Sequence, residues 1–563
     1  MFRRLHTLGL LVLTLTTTAG ALWPRPRSYS TGNGTLRLAS TFEVAFADSL
    51  AGAAPLDLKQ AVERTASVLI SDRFQRLVPD RGEWDRPAVE EADELCVLKL
   101  ALTSSLVKVL SITDEVRKPF EQRDEAYSLN TGENDGAASL SANSTLGLLR
   151  GLQTFEQLVY TLPGDEHVRY IPSTPVEIED SPAFPYRGFM LDTSRNFFPV
   201  EDILRTLDAM ASVKLSTFHW HATDSQSWPL FVPAFPNLTA AAYSAAEVYS
   251  WEDVQTVQEY AGVRGIDVML EVDMPGHTAS IAKSFPDYVA CLESTPWATY
   301  SAEPPAGQLR LGDEATLQFS KQVVKSVTSM LSSRYFSTGG DEVNEQCYRD
   351  DPITGTALNR SSFDGLLSTF VNSLHDTVRD SGKTPLVWEE MVLNHDLELA
   401  NDTIVLTWTS SNSTSRVADQ GFRIIHSPSD YVYLDCGSGP WVGNNVGGRS
   451  WCDPFKSWQK VYSFDPLANL TASQYKLVLG GQSLLWSEQT SPENLDSQAW
   501  PRAAAAAEVF WTGGSLEGGS RCVAEALPRL HDWRYRAVGR GIKAAALQPH
   551  CCALRPHLCD LGA

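Results

Sequence analysis

Tyr335-Phe336-Ser337-Thr338-Gly339-Gly340-Asp341-Glu342 is the stretch from which the rest of this chain is most easily read. A short aromatic and apolar run reads as a buried strand, and the double glycine ends it. Two carboxylates follow directly, with the glycines read as clearing space in front of them. Adjacent acids repel when both are ionised, so a site that holds them together splits their proton affinities and gives them different tasks.

Seven further runs of this kind are spaced along the chain: Tyr186 to Thr193, Leu215 to Asp224, Asp267 to His277, Pro385 to Met391, Thr403 to Ser410, Arg423 to Asp435 and Val478 to Glu488. Amphipathic helices separate most of them. Examples are Glu201 to Val213, with Ile203, Leu204, Leu207 and Met210 on one face, Asp313 to Arg334, and Phe363 to Ser381. The sixth strand is followed by only a weak helical signal. The seventh leads into a Gly- and Trp-rich stretch, Cys436 to Ser463, read as a long active-site loop. Eight strands with crossovers predict an α/β fold, a (β/α)₈ TIM barrel over residues 181–536. A doubly wound open sheet is the alternative, but no Gly-rich nucleotide fingerprint follows an early strand.

Nearly every strand ends in a carboxylate, a histidine or a tryptophan: Asp192, Asp224, His277, Asp341-Glu342, Trp388, Trp408, Asp435, and Trp486 with Glu488. Strand C-termini form the catalytic face of such a barrel. Helix capping would explain one or two aspartates but not three tryptophans.

A smaller α+β domain is expected ahead of the barrel, over residues 22–180. Leu36 to Ala47 has period-two character, Leu56 to Phe74 is helical, and Cys96 to Ile112 holds two short β-like runs. In Ser144 to Tyr160 the residues Leu146, Leu149, Leu152, Phe155 and Leu158 line one helix face. Residues 537–563 read as a cysteine-rich tail packed on the barrel. Residues 1–21 read as a signal peptide: Arg3 and Arg4, the apolar run Leu8 to Leu15, and Ala19-Gly20-Ala21 as the cleavage site. No later run is long enough to span a membrane. A secreted protein is expected, with a vacuole or lysosome as the alternative.

The formal charge of -22 argues against nucleic acid and anionic membranes as partners. Sequons at Asn33, Asn143, Asn237, Asn359, Asn401, Asn412 and Asn469 suit a glycosylated secretory product. The nine cysteines suit an oxidising compartment, and their connectivity is not fixed by sequence. The pairing expected is Cys291 with Cys347, Cys436 with Cys452, Cys522 with Cys551 and Cys552 with Cys559, leaving Cys96 as a buried thiol. No metal or cofactor is expected, because no Cys–His spacing resembles a zinc site. Whether the protein is a monomer or a homodimer is left open.

Within the strand ends, Glu342 is the candidate general acid/base and Asp341 its orienting partner, the division of labour that glycosidic cleavage needs. Pro275-Gly276 turns the chain so that His277 is presented at the barrel mouth. His219 and His221 share one strand face, with Asp224 nearby; support behind the site is favoured over a metal pair. Trp388, Trp408 and Trp486 are either core or the walls of a sugar pocket. Arg187 is read equally as a salt bridge at the barrel bottom or as a hydroxyl-binding donor.

Arg187-Gly-Phe-Met-Leu-Asp192-Thr-Ser-Arg195, His219-Trp-His-Ala-Thr-Asp224-Ser-Gln-Ser, Pro275-Gly-His277, Gly339-Gly-Asp-Glu342, Tyr433-Leu-Asp435 and Trp486-Ser-Glu488 follow one another in order. Asp124-Glu125-Ala126-Tyr127 and Gly147 to Phe155 add to the set. Together they resemble the β-N-acetylhexosaminidases of glycoside hydrolase family 20. The resemblance implies removal of terminal N-acetylhexosamine from glycans or chitooligosaccharides, with the substrate's acetamido oxygen as nucleophile. It implies Glu342 as acid/base, Asp341 on the acetamido N–H and Tyr433 on the acetamido oxygen. Asp224 and His277 would tune Glu342, Trp388, Trp408 and Trp486 would line the pocket, and Arg187, Asp435 and Glu488 would grip hydroxyls. Two departures stand out: Ser337 and Ser225 occupy places where many relatives carry His and an acid. A binding protein without turnover and a glycosidase with a protein nucleophile remain as competing readings.

Overall fold

The computed structural model describes residues 21–103, 108–132, 136–395, 397–514 and 521–561. The predicted signal peptide, apart from Ala21, lies outside them. The first domain is a six-stranded sheet made of β1 (Ser28–Phe46), β2 (Asp93–Leu102), β3 (Tyr127–Asn130), β4 (Ala137–Ala142), β5 (Tyr160–Leu162) and β6 (Asp165–Asp180). Its order is β1-β2-β4-β3-β6-β5, with β1 also paired to β6. The helix Thr145–Leu158 buries the five predicted apolar residues, and Ser144 caps it by accepting a hydrogen bond from Gly147 N at 2.9 Å.

Of the two β-like runs expected from Cys96 to Ile112, the first lies in β2; the second falls partly on residues 104–107, outside the described residues, and its described part, 108–111, forms no strand. All of Val97 to Leu102 pairs with β4, and Ile112–Val116 is a short helix capped by Ser111. Cys96 is exposed, not buried. The β1–β2 ladder shifts register between Leu38 and Glu43, and Leu95 takes the inward place.

The second domain is a closed barrel of eight parallel strands: β7 (Tyr186–Asp192), β8 (Thr217–His221), β9 (Asp267–Glu271), β12 (Tyr335–Ser337), β13 (Thr384–Trp388), β14 (Ile404–Thr407), β15 (Arg423–His426) and β16 (Val478–Leu485). A two-residue ribbon, β10 (Val289–Ala290) with β11 (Gln308–Leu309), decorates the loop after β9. Every residue of β7, β8 and β9 is buried, as expected for strands covered by side chains inside and helices outside. Most of the sequence runs overshoot these strands at their C-terminal ends, because the polar residues beyond the ladder belong to the cleft. The clearest case is Tyr433, which arrives after the short helix Ser429–Val432 and is pinned by Leu434 N donating to Leu484 O at 2.9 Å.

Arg187 settles at the opposite end of the barrel from the cleft. Its guanidinium donates to Glu125 Oε2 at 2.6 Å, Lys214 O at 3.0 Å and Phe184 O at 2.9 Å, all buried. Glu125 also receives Arg150 at 2.8 Å. Burial opposes its charge, yet the two guanidiniums hold its carboxyl down at about 2. The hydroxyl-gripping role that the resemblance implied for Arg187 is therefore corrected: it joins the two domains. Lys214 does the same through Asp180 at 3.1 Å.

The C-terminal helix Val523–Gly539 runs across the expected boundary at residue 536; Arg529–Glu508 at 2.6 Å ties it to the barrel domain, and Arg536 donating to Gln157 O at 3.0 Å and Val159 O at 3.1 Å ties it to the first domain. Three of the expected disulfides are present: Cys291–Cys347, Cys436–Cys452 and Cys552–Cys559. Cys522 and Cys551 are instead free and exposed. Cys551 lies beside His550, whose ring stacks on Tyr535 at 5.0 Å, whereas Cys522 starts the same helix some three and a half turns earlier. The helix rise separates them by roughly 20 Å, far beyond disulfide reach. All seven sequon asparagines are exposed. Among the described residues, no helix is long and apolar enough to cross a membrane.

Candidate active site

The C-terminal ends of the strands surround a cleft of about 280 Å³. Asp341 and Glu342 enter it from the end of β12. Gly339 has φ +64° and Gly340 φ +98°, and a side chain at either would collide, with Asp273 and Met391 respectively. Gly339 thus makes room for Asp273 and Gly340 for Met391, rather than clearing space in front of the acids. Gly340 N donates to Asp273 Oδ1 at 2.7 Å. Glu342 itself sits at φ +53° and His277 at φ +45°, strained conformations that a non-glycine residue holds only when its surroundings require it.

Asp273 Oδ2 and Asp341 Oδ1 are buried without other hydrogen-bond partners. Burial raises the proton affinity of both; the charge of Asp341 adds to this at Asp273, whereas His277 and the contact with Asp273 oppose it at Asp341. Of the two, Asp273 is the one whose protonated form burial and the neighbouring charge favour more, and a proton on it can be donated toward Asp341. That leaves Asp341 as the acceptor on the cleft side.

Behind Glu342 runs a line of ionisable side chains. His277 Nε2 lies 3.3 Å from Glu342 Oε2, in ion-pair range but off the line of a hydrogen bond. His277 Nδ1 bonds Asp224 Oδ1 at 3.1 Å, and Asp224 Oδ2 bonds His221 Nε2 at 2.8 Å. Burial works against the charge on His277, but Asp224 and Asp341 push it well above an ordinary histidine. Asp224 is fully buried, and despite that burial Arg195 and His277 keep its carboxyl well down.

Trp408, Tyr433, Trp451 and Trp486 wall the cleft. Trp408 stacks on Tyr433 with centroids 6.1 Å apart, and Trp451 meets both edge-on at 5.3 and 5.7 Å. Trp408 Nε1 donates to the Glu390 carboxylate at 2.9 Å. Trp388 is fully buried beneath Trp486, 6.2 Å away, and supports the wall from below. Glu488 lines the cleft. Asp435 sits behind Tyr433 and accepts from Trp486 N at 3.5 Å; burial pushes its carboxyl up to about 7.

Sequence reasoning missed Arg195, Asp273, Glu303 and Trp451. Arg195 reaches Asp192 at 3.3 Å, Asp224 at 3.0 Å and Glu303, and covers the Trp486 ring at 4.9 Å. Arg195 lies three residues beyond the end of β7 and Asp273 two beyond the end of β9, within the runs and motifs read from the sequence; their position was the available signal. Glu303 and Trp451 come from loops with no periodicity to mark them. The loop Cys436 to Ser463 does reach the cleft, through Pro440 to Val442 and Arg449 to Trp451, and also contains the helix Trp458–Tyr462.

His219 and His221 converge on Glu271, at 3.3 and 2.7 Å. The nearest clusters of donors with metal-like spacing are Asp224, His277 and Glu303, and Asp273, His277 and Asp341. Arg195 already pairs with Asp224 and Glu303 of the first, and burial favours the protonated form of Asp273 in the second, so neither cluster fits a resident cation. At Asp435 the neighbouring sulfurs of Cys436 and Cys452 are tied in a disulfide.

The profile of the glycosyl hydrolase family 20 catalytic domain matches residues 184–514, and one described as beta-acetyl hexosaminidase like matches residues 22–158. A beta-hexosaminidase of Arthroderma benhamiae is 35% identical over 609 residues, covering 96% of this chain and 97% of that protein. A chitooligosaccharidolytic beta-N-acetylglucosaminidase of Bombyx mori is 35% identical over 82% of this chain and 79% of its own. The solved family 20 exo beta-N-acetylglucosaminidase of Vibrio harveyi shares the fold, with a TM-score of 0.73 at 24% identity over 94% of this chain and 78% of its own. With its catalytic domain and the domain before it both matched, this chain belongs to glycosyl hydrolase family 20.

Proposed function

We propose that the protein is an exo-acting β-N-acetylhexosaminidase that removes terminal non-reducing GlcNAc or GalNAc from glycans or chitooligosaccharides, with retention. The observation that carries this reading is the placement of Asp341 and Glu342 at one strand end, facing a small aromatic cleft that also holds Tyr433. Glu342 is the only partly exposed member of the pair, at 32% of its side chain, and it protonates the leaving oxygen. The acetamido oxygen attacks the anomeric carbon and closes an oxazolinium ring. Asp341 accepts the acetamido N–H and compensates the positive charge that develops there, while Tyr433 donates to the oxygen. Glu342 then takes a proton from water as it opens the ring.

An intramolecular nucleophile is worth effective molarities of about 10⁵–10⁸ M, so orientation of the acetamido group is the main task of the cleft. Trp408, Trp486 and the buried Trp388 support an apolar slot for its methyl group. Arg195 and Glu488, with Asp435 behind, are the groups suited to ring hydroxyls. The signal-like N-terminus, three disulfides and exposed sequons support secretion.

The test is hydrolysis of aryl β-N-acetylglucosaminide and aryl β-glucoside by wild type and Glu342→Gln. Activity on the acetamido sugar alone, lost in the variant, is expected. Equal activity on both sugars points to a protein nucleophile, and silence on both to a binding protein.

A further inference from the structure

His221 does not line the cleft, yet it is the joint between two halves of the buried polar network. Its Nε2 bonds Asp224 Oδ2 at 2.8 Å and its Nδ1 bonds Glu271 Oε1 at 2.7 Å. Both nitrogens therefore face carboxylates, and both must donate, which only the imidazolium can do. Its ring also meets Trp486 edge-on at 4.9 Å. Glu271 in turn accepts from Ser337 Oγ and lies 3.3 Å from His219, whose ring stacks on Trp388 at 6.0 Å.

We infer that His221 is a positioning residue that, as a permanent buried cation between Glu271 and Asp224, sets the pH range over which Glu342 can act. This rests on the reading of Glu342 as the acid/base.

The charges around His221 make the direction calculable. From the β7 side come Arg195 and Asp192, and Arg195 shares Asp224 with it. From the β9 side come Glu271, Asp273 and His277. From β12 come Asp341 and Glu342, and from the loop before β11 comes Glu303, which reaches Arg195 and lies 3.8 Å from His277. Burial disfavours the charge on His221, but bonds to Asp224 and Glu271 push it up to about 10, so it stays cationic throughout the working range. Its charge draws on Asp224 and weakens the hold of Asp224 on the His277 proton. Removing a buried positive charge raises the proton affinity of everything left in the cluster; removing a negative one lowers it.

Two variants therefore separate the charge role from a packing role. His221→Asn deletes the cation, and both limbs of the kcat/KM profile should move upward by about 0.5–1 pH unit, with kcat reduced more than KM is raised. Glu271→Gln deletes an anion, and the limbs should move downward. Circular dichroism checks the fold of each, and loss of activity in Glu342→Gln independently tests the reading on which the inference rests. Opposite displacements establish the role. Unmoved limbs, or displacement in the same direction in both variants, overturn it even where activity falls. Should His221→Asn fail to fold, Glu271→Gln decides alone: an upward or absent shift overturns the inference.

Discussion

Asp273 and Asp341 face each other behind the cleft, each burying a carboxyl oxygen that has no other partner. A proton on Asp273 converts their repulsion into alignment, and the placement of Asp273 explains why Gly339 precedes the acids: a Cβ there would lie 2.0 Å from Asp273 Oδ1. Asp341→Asn presents an amide where an acceptor is needed and should cost about 10²–10³ in kcat. Asp273→Asn can still donate to Asp341. It should keep activity within about tenfold of wild type while moving the pH profile. Steady-state kinetics from pH 4 to 9 on both variants checks this, and equal losses would contradict the assignment of the proton to Asp273.

Cys436–Cys452 begins one residue after Asp435, and Cys291–Cys347 ties the loop after β9 to the helix that follows Glu342. Both clamps hold cleft loops, not the barrel. Mild reductant should therefore lower activity before ellipticity at 222 nm changes. Simultaneous loss of both signals would count against the clamps as local supports.

Arg187 and Glu125 are a fully buried pair joining the two domains. Glu125→Gln leaves two guanidiniums partly uncompensated and should cost about 3–5 kcal/mol of stability. KM of the folded fraction should stay unchanged, as measured by kinetics below the transition temperature. A raised KM without a lowered Tm would restore a substrate-gripping role to Arg187.

His375 is buried behind β12, its Nε2 3.2 Å from Thr338 Oγ1. Burial, helped by Arg379, lowers its pKa to about 3. The unfolded chain takes up this proton near pH 6.5 and the folded chain does not, so the contribution is full above 6.5 and is lost as pH falls toward 3. The loss is about 1.4 kcal/mol per pH unit in that window. His375→Gln should flatten the decline of stability between pH 6 and 4, followed by urea unfolding. An unaltered slope would show that other groups dominate acid unfolding.

Much of this protein was determined by sequence alone. Eight apolar runs with helical crossovers can close only a few ways, and a barrel collects whatever follows each strand at one end. Asp341, Glu342, His277, Trp408, Trp486 and Glu488 were legible for that reason, and Tyr433 through the family resemblance. What tertiary structure decided was direction and partnership. Arg187 opens the same strand that Asp192 closes, so strand polarity sends it to the far end from the cleft, where Glu125 of the other domain waits. Cys522 and Cys551 are apart because an intervening helix spans the gap. Asp273, Arg195 and His221 gain their significance from charges that are distant in sequence, and the proton each holds depends on burial and neighbours, which no local pattern encodes.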